Sequence, residues 1–464
     1  IGVRMHIHNR AAICFLFLSV FLIIPPGDAL IAQVDAPVDN LTETLTWRRA
    51  IHERFLEWAA QVTPAEANRL NIDIATTTLG PTVTKAFGHT AIRIRPQGAE
   101  EFGPDDYYVD FGQYDESAGF IWRFVKGNAR FFAYVLPMAS AYEGADREGR
   151  GLFVSELELT DRQKFVLVKD IERALRDQSE GYEYDNFTNN CVTFIHDLLA
   201  DATGRNIGLQ VPDGEGPVTW RSRVLDYSDD HLALLVNEIL LFDADTDVPR
   251  KPEELVFLSD DILVALDQSG LIGTNTVLIP HRWVGHNPGL RDRYARILNP
   301  EQMNQLFPPG LNQFSATVNW RKSALLFLML ATLIPMLPLR PVRKYRKYAE
   351  RLYAVVFGIS AIWVTLVSRV TTFQFMDDNI LPLVLFPLDF LLWKQSGTLF
   401  KKWDWQKVRL YYAAFRAVTL LIALILYISV LPQDIMTLWV FVSVWFALFA
   451  WNQWQRLHSM EDRT

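Results

Sequence analysis

The chain has 464 residues, of which 50% are hydrophobic and 13% aromatic, and a formal net charge of -8. It is longer than one ordinary domain, and its acidic balance argues against a nucleic-acid partner, since the basic residues gather beside apolar stretches like topology signals. Most of the long uninterrupted apolar stretches lie beyond residue 320, so the expected order is a soluble part followed by a membrane part.

Residues 1–29 read as a secretory signal. Arg4 and Arg10 precede an apolar run over 11–24, and Pro25-Pro26-Gly27-Asp28-Ala29 follows. A run of roughly 14 residues is short for a membrane span and suits a signal core. Cleavage is expected after Ala29 or Ala32, which would remove Cys14 and leave Cys191 as the only thiol of the mature chain.

Within 40–75, Trp47, Ile51, Phe55, Leu56 and Ala59 recur at helical spacing, and Thr63-Pro64-Ala65-Glu66 starts a second helix. Strands are predicted over 72–78, 90–94 and 107–111, which are rich in β-branched or aromatic residues between Gly-Pro and Pro-Gln-Gly breaks. His89 then falls at the start of a strand. Thr160-Asp161-Arg162-Gln163 has the capping-box pattern, and Phe165, Val168, Ile171 and Leu175 form a stripe, giving a helix over 161–177. Strands and helices mixed in one block predict an α+β domain over 30–204.

In the segment from Tyr184 to Leu199, Asn189 and Asn190 precede an apolar run, placing Cys191 in the first turn of a helix, where unpaired backbone N–H groups stabilise negative charge on sulfur. The bland alternative is an inert buried cysteine. Residues 205–320 read as a periplasmic extension of helical runs (232–241, 259–266) and loops. His281 and His286, five apart, lack further ligands and read as surface or packing residues, so neither metal nor cofactor is expected.

A membrane domain is predicted over 321–464, with five apolar segments at 324–339, 352–367, 380–393, 413–431 and 435–451; the third is broken by Pro382 and Pro387. The loop after the first carries Arg340, Arg343, Lys344, Arg346, Lys347 and Arg351, and the loop after the third carries Lys394, Lys401, Lys402, Lys407 and Arg409, whereas Asp377, Asp378 and Asp434 follow the second and fourth. The positive-inside rule makes the basic loops cytoplasmic and places residues 30–320 outside the inner membrane. Asp389 and Arg416 fall within the apolar segments and are expected either to line a lipid headgroup site or to snorkel to the cytoplasmic surface.

A cysteine nucleophile needs a base and a third group that orients the base. His89, between a Gly-rich turn and a strand, is the best placed base. His196 lies about 140° around the helix from Cys191 and points elsewhere, while His52 and His231 sit on helical stretches. Asp110, on the next strand, is the candidate orienting group. Asn190 either helps polarise a carbonyl or caps the helix, and the backbone N–H of Cys191 is a natural oxyanion donor.

Histidine before cysteine, on a strand start and a helix start, resembles the circularly permuted papain-like enzymes of the NlpC/P60 and lecithin-retinol acyltransferase group. Phe87-Gly88-His89-Thr90-Ala91, Asp110-Phe111-Gly112, Phe124-Val125-Lys126-Gly127, Arg147-Glu148-Gly149-Arg150, Tyr184-Asp185 and Asn189-Asn190-Cys191, continued by Thr219-Trp220-Arg221 and five apolar segments, resemble the Lnb N-terminal periplasmic domain family. The resemblance implies a permuted papain-like domain with a five-helix membrane domain and the activity of the Bacteroides-type lipoprotein N-acyltransferases. Carried onto this sequence, it makes Cys191 the acylated nucleophile and His89 its base, points to Lys126, Arg150 and Tyr184 for substrate binding, and names a lipoprotein or phospholipid as substrate. Family members commonly read Asn-Cys-Thr-Thr-Arg-Ile-Arg-Asp, whereas Phe194 and His196 stand here at the two arginine positions. Two other functions fit the same residues: a membrane-tethered cell-wall amidase or cysteine peptidase, and a non-enzymatic envelope scaffold.

Overall fold

The structure, a computed structural model, describes residues 38–461 apart from 81, 115–118, 179, 212–217, 226, 228–231, 284–289, 310–319, 394–404, 430–432, 434 and 435. The expected signal segment with Cys14, together with His231, His286, Lys394, Lys401, Lys402 and Asp434, lies outside the described residues.

The first part is α+β. Its strands are β1 (Leu70–Thr77), β2 (His89–Pro96), β3 (Tyr107–Tyr114), β4 (Arg130–Pro137), β5 (Leu152–Leu157), β6 (Tyr182–Glu183) and β7 (Ile272–Ile279). They form one sheet in the order β6-β4-β3-β2-β1-β5-β7, antiparallel throughout. Alternation sets its two faces. Ile72, Ile74, Ile92, Ile94, Val109 and Phe111 join the main core with the helices α1 (Val38–Gln61), α3 (Asp161–Asp177) and α4 (Cys191–Thr203), while Ala75, Ala91, Tyr108 and Val154 face a smaller cluster that includes Met138 and Ala145. A short helix, α2 (Phe120–Val125), connects β3 to β4. The capping box read at Thr160 is present: its hydroxyl and the Gln163 side chain bond each other's backbone N–H groups. The 205–320 stretch adds α5 (Trp220–Leu225), α6 (Leu232–Leu241) and α7 (Ser259–Gln268), and its β7 completes the same sheet beside β5.

The second part holds α8 (Trp320–Leu333), α9 (Arg346–Val370), α10 (Trp405–Ser429) and α11 (Met436–Glu461). Among the described residues three helices are long and apolar enough to cross a membrane: Arg343–Val370, Trp405–Ile428 and Met436–His458. The first of the five expected segments is shorter, because α8 gives way to a 3-10 turn at Ile334–Met336 around Pro335. The third is a single turn, Leu381–Val384, then a 3-10 stretch, Pro387–Trp393. Proline explains the break, since it lacks the N–H that an α-helix would direct to the carbonyl four residues back. For Pro387 that carbonyl is Leu383 O, and Arg416 fills the vacancy by donating Nη1 to it at 2.9 Å. Arg416 also pairs with Asp389 at 2.9 Å, and Tyr412 and Tyr353 donate their hydroxyls to the same carboxylate at 2.6 and 3.2 Å. Both charged side chains are wholly buried. The expectation of a headgroup lining or a snorkelling pair is therefore replaced by a mutual ion pair that satisfies a broken helix.

The two parts are joined tightly at the loop after α9. Thr372 donates its N–H to Lys126 O at 3.0 Å, Asp243 N–H donates to Phe375 O at 3.0 Å, and Asn379 Nδ2 donates to Leu240 O at 2.8 Å. Gln433, before α11, donates to Phe242 O at 2.7 Å. Rings reinforce these bonds: Phe375 meets Phe187 edge-on at 4.8 Å between centroids. Phe187 lies four residues before the thiol and stacks flat on Trp220 at 4.6 Å, so one aromatic cluster links the cysteine loop to the membrane helices.

Candidate active site

Cys191 is the first residue of α4 and a free, half-buried thiol. Asn190 holds it there. Its Oδ1 accepts from the N–H groups of Val192 and Thr193 at 2.8 and 3.1 Å, and its Nδ2 donates to Asn186 O at 2.8 Å and to Phe257 O at 3.2 Å. With its donors and its acceptor engaged, this amide is a cap and a brace for the cysteine loop, so of its two expected roles the structure supports capping and not the polarising of a substrate carbonyl. The cap leaves the backbone N–H of Cys191 outside its own bonds.

His89 begins β2, as expected, and the Thr77–His89 pairing anchors it against β1. Its Nε2 meets Asp110 Oδ1 at 2.9 Å. The partner is thus Asp110, the candidate orienting group on the next antiparallel strand. Asp110 is nearly inaccessible, and it also accepts from Gly112 N–H at 2.7 Å and Gln113 Nε2 at 2.6 Å. These bonds form because β3 shifts register against β4 between Asp110 and Gln113. Gly112 matters for a further reason: a Cβ there would lie 2.6 Å from His89 Cε1, so only glycine lets the strand pass against the imidazole.

The electrostatics follow from this pairing. Burial pulls the His89 imidazolium down, but the Asp110 carboxylate, Tyr108, the Cys191 thiolate and the hydrogen bond to Asp110 together hold its pKa well above the usual histidine value. Burial pushes Asp110 up, and the His89 charge and hydrogen bonds from His89, Gly112 and Gln113 outweigh it, leaving the carboxyl below its ordinary range. Nε2 is committed to Asp110, which leaves Nδ1 for the thiol or a substrate atom. Cys191 is close enough to act electrostatically on His89, Tyr182 and Tyr184. Burial, then the charge of Cys191, raises the Tyr184 hydroxyl, and burial pushes Tyr108 up to about 12.

The expected substrate-binding residues divide. Tyr184 opens the turn closed by the Asp185–Asn189 bridge, which leads into Cys191, and stacks on Phe131 at 4.2 Å. Lys126 lies at the junction with the membrane part, its ammonium 5.9 Å from the Trp122 ring centroid. Arg150 is buried, donating Nε to Thr78 O at 2.6 Å and Nη1 to Glu148 at 3.4 Å, and so braces the end of β1. Phe194, at one family arginine position, stacks on Phe111 at 4.7 Å. His196, at the other, spends both nitrogens on Asp197 and Ile207 O, which removes it as a competing base. His52 stacks on Tyr134 and accepts from Val135 N–H, and His281 is buried against Thr78 at 2.7 Å, so both are packing residues. Sequence reading missed Gly112 and Gln113 as members of the site; the Asp110-Phe111-Gly112 motif carried the only signal.

Residues 54–225 match the Lnb N-terminal periplasmic domain, and that span contains Cys191, His89 and Asp110. Residues 54–225 belong to this domain family. Its periplasmic domain is followed by helices able to cross a membrane. No curated protein and no solved structure matches the chain.

Proposed function

We propose that the protein is a multi-pass inner-membrane acyltransferase whose periplasmic, permuted papain-like domain works through a thioester on Cys191, with a lipoprotein N-terminus as acceptor and a membrane lipid ester as donor. The observation that carries this reading is a helix-capped thiol whose charge acts on a carboxylate-anchored imidazole, in a domain bonded directly to the loop that follows a candidate membrane helix. In this mechanism the Cys191 thiolate attacks the ester carbonyl, and the backbone N–H of Cys191 receives the developing oxyanion. As the C–O bond breaks, the His89 imidazolium gives its Nδ1 proton to the leaving alkoxide. An α-amine then attacks the thioester, His89 takes the amine proton, and the thiolate leaves. Asp110 keeps the ring oriented and stabilises its charged form throughout.

Docking to the membrane part also favours this reading over a cell-wall amidase, for which residues 323–464 would be a dispensable tether. The shorter apolar stretches at 324–339 and 380–393 complete five crossings in this topology, with the basic loops cytoplasmic. The test is mass spectrometry of lipoprotein N-termini in cells whose only candidate N-acyltransferase is wild type, Cys191→Ala or His89→Ala. N-acylation should be present in the first and lost in the other two; unchanged N-acylation with Cys191→Ala would refute the proposal.

A further inference from the structure

The helix α2 sits between the thiol and the end of the membrane span. Thr372 follows two residues after Val370, the last residue of the span Arg343–Val370, and both its N–H and its hydroxyl donate to Lys126 O, at 3.0 and 3.1 Å. Two residues reach at most about 7 Å, so the C-terminal end of α2 lies at the level where α9 leaves the apolar layer. Gly127 makes this contact possible: its φ is +76°, and a Cβ on it would stand 2.3 Å from Thr372 Oγ1.

The two faces of α2 differ. Phe120 stacks on Tyr114 at 4.7 Å inside the domain, and Phe124 packs on Phe373 at 6.1 Å and on Tyr184 at 5.7 Å. Trp122, two residues from each and so on the other side of the helix, is 47% exposed, with the Lys126 ammonium above its ring. A large exposed indole beside a lysine at the end of a span has the composition of a membrane interface, where the ring sits among headgroups and the ammonium reaches phosphate. Tyr184 in turn opens the turn closed by the Asp185–Asn189 bridge, which leads into Cys191, so a run of rings leads from this interface to the cysteine loop.

We propose that α2 rests on the periplasmic leaflet of the bilayer, with Trp122 at the boundary between headgroups and acyl chains, and that this edge of the domain is where a lipid ester approaches Cys191. The contact with lipid stands on the geometry alone; the approach of the ester rests on the acyltransferase reading above.

The full chain, with Cys14 and Cys191 replaced by alanine, is labelled with an environment-sensitive fluorophore through Trp122→Cys, or through Arg173→Cys as an exposed reference on α3, and placed in nanodiscs of phosphatidylethanolamine and phosphatidylglycerol. Blue-shifted emission that is quenched by lipids carrying a nitroxide near the headgroup is expected at position 122 and not at 173. Water-like emission at 122, unaffected by the nitroxide lipid, would overturn the membrane contact. In a second arm, Trp122→Ser is made in the otherwise unaltered protein. Transfer from a bilayer-embedded donor should fall roughly tenfold, the scale of losing part of one aromatic's burial, while alkylation of Cys191 by soluble iodoacetamide keeps its rate. Undiminished transfer overturns the approach of the ester along α2. Failure of the acyltransferase reading is told apart by Cys191→Ala, which would then leave transfer intact whatever the label at position 122 reports.

Discussion

Replacing Asp110 by asparagine keeps the shape of the side chain and removes the charge that anchors His89. In the native site this carboxylate is the largest influence raising the imidazole's pKa, opposed by burial, and Nε2 to Oδ1 is 2.9 Å. An opposite charge at such range shifts a pKa by about 1 to 3 units, or ~1.4 to 4 kcal/mol between the two protonation states. The His89 side chain is 22% exposed, so screening is partial. The folded pKa of His89 is raised above its ordinary 6.5, so its contribution to stability is full below that value and is lost as pH rises through the folded pKa. The folded pKa of Asp110 is depressed below 3.8, so its contribution is present above that value and is lost as pH falls through the lower folded one. The stability gap between wild type and Asp110→Asn should therefore be widest between pH 3.8 and 6.5 and close on both sides. Histidine-selective NMR titration reads the effect directly, with His89 titrating above the ordinary histidine range in wild type and at lower pH in the variant. An unchanged His89 titration would refute the assignment of Asp110 as the orienting group.

Gly112→Ala should leave the fold intact and displace the imidazole, because the new Cβ would stand 2.6 Å from Cε1; acyl transfer is expected to drop by about 10²- to 10⁴-fold, the share a general base contributes, with an unchanged far-UV spectrum. Asn190→Ala removes a cap that accepts two N–H groups and braces Phe257 O, and thermal unfolding should report a loss of about 0.5 to 2 kcal/mol together with slower alkylation of Cys191. Arg416→Met strands the buried Asp389 carboxylate and frees the carbonyls of Leu383 and Val384, which should cost ~3 to 5 kcal/mol in detergent-solubilised protein, and the double variant with Asp389→Leu should lose less than the sum of the single changes.

Local signals in the chain were read well where they are complete within a few residues. The capping box at Thr160 fixes α3, and Asn190 before an apolar run fixes α4 with Cys191 in its first turn. The first three strands carry their own alternation and turn residues. By contrast, β7 lies in a loop-rich stretch and is a strand because it pairs with β5 more than a hundred residues earlier, a contact no local pattern encodes. The pairing of His89 with Asp110 was suggested by adjacent strands, but the register shift that brings Gly112 and Gln113 onto the same carboxylate is a tertiary feature. Arg150 lay in a family motif and was expected to bind substrate, and its burial with Nε on Thr78 O is a tertiary feature that the motif does not encode. In the membrane part, the sequence located the apolar segments and the proline break in the third, without revealing that Arg416 repairs that break. The junction is likewise invisible in sequence, since Thr372, Phe373 and Phe375 form no periodic pattern and matter only through what they touch.

Acylation of the thiol itself is the most direct measure of the whole account. Protein isolated from membranes under conditions that withhold the amine acceptor should yield a Cys191 peptide carrying one acyl group, released by neutral hydroxylamine as a thioester and absent from His89→Ala. A Cys191 peptide that stays unmodified while lipoprotein N-acylation proceeds would contradict it.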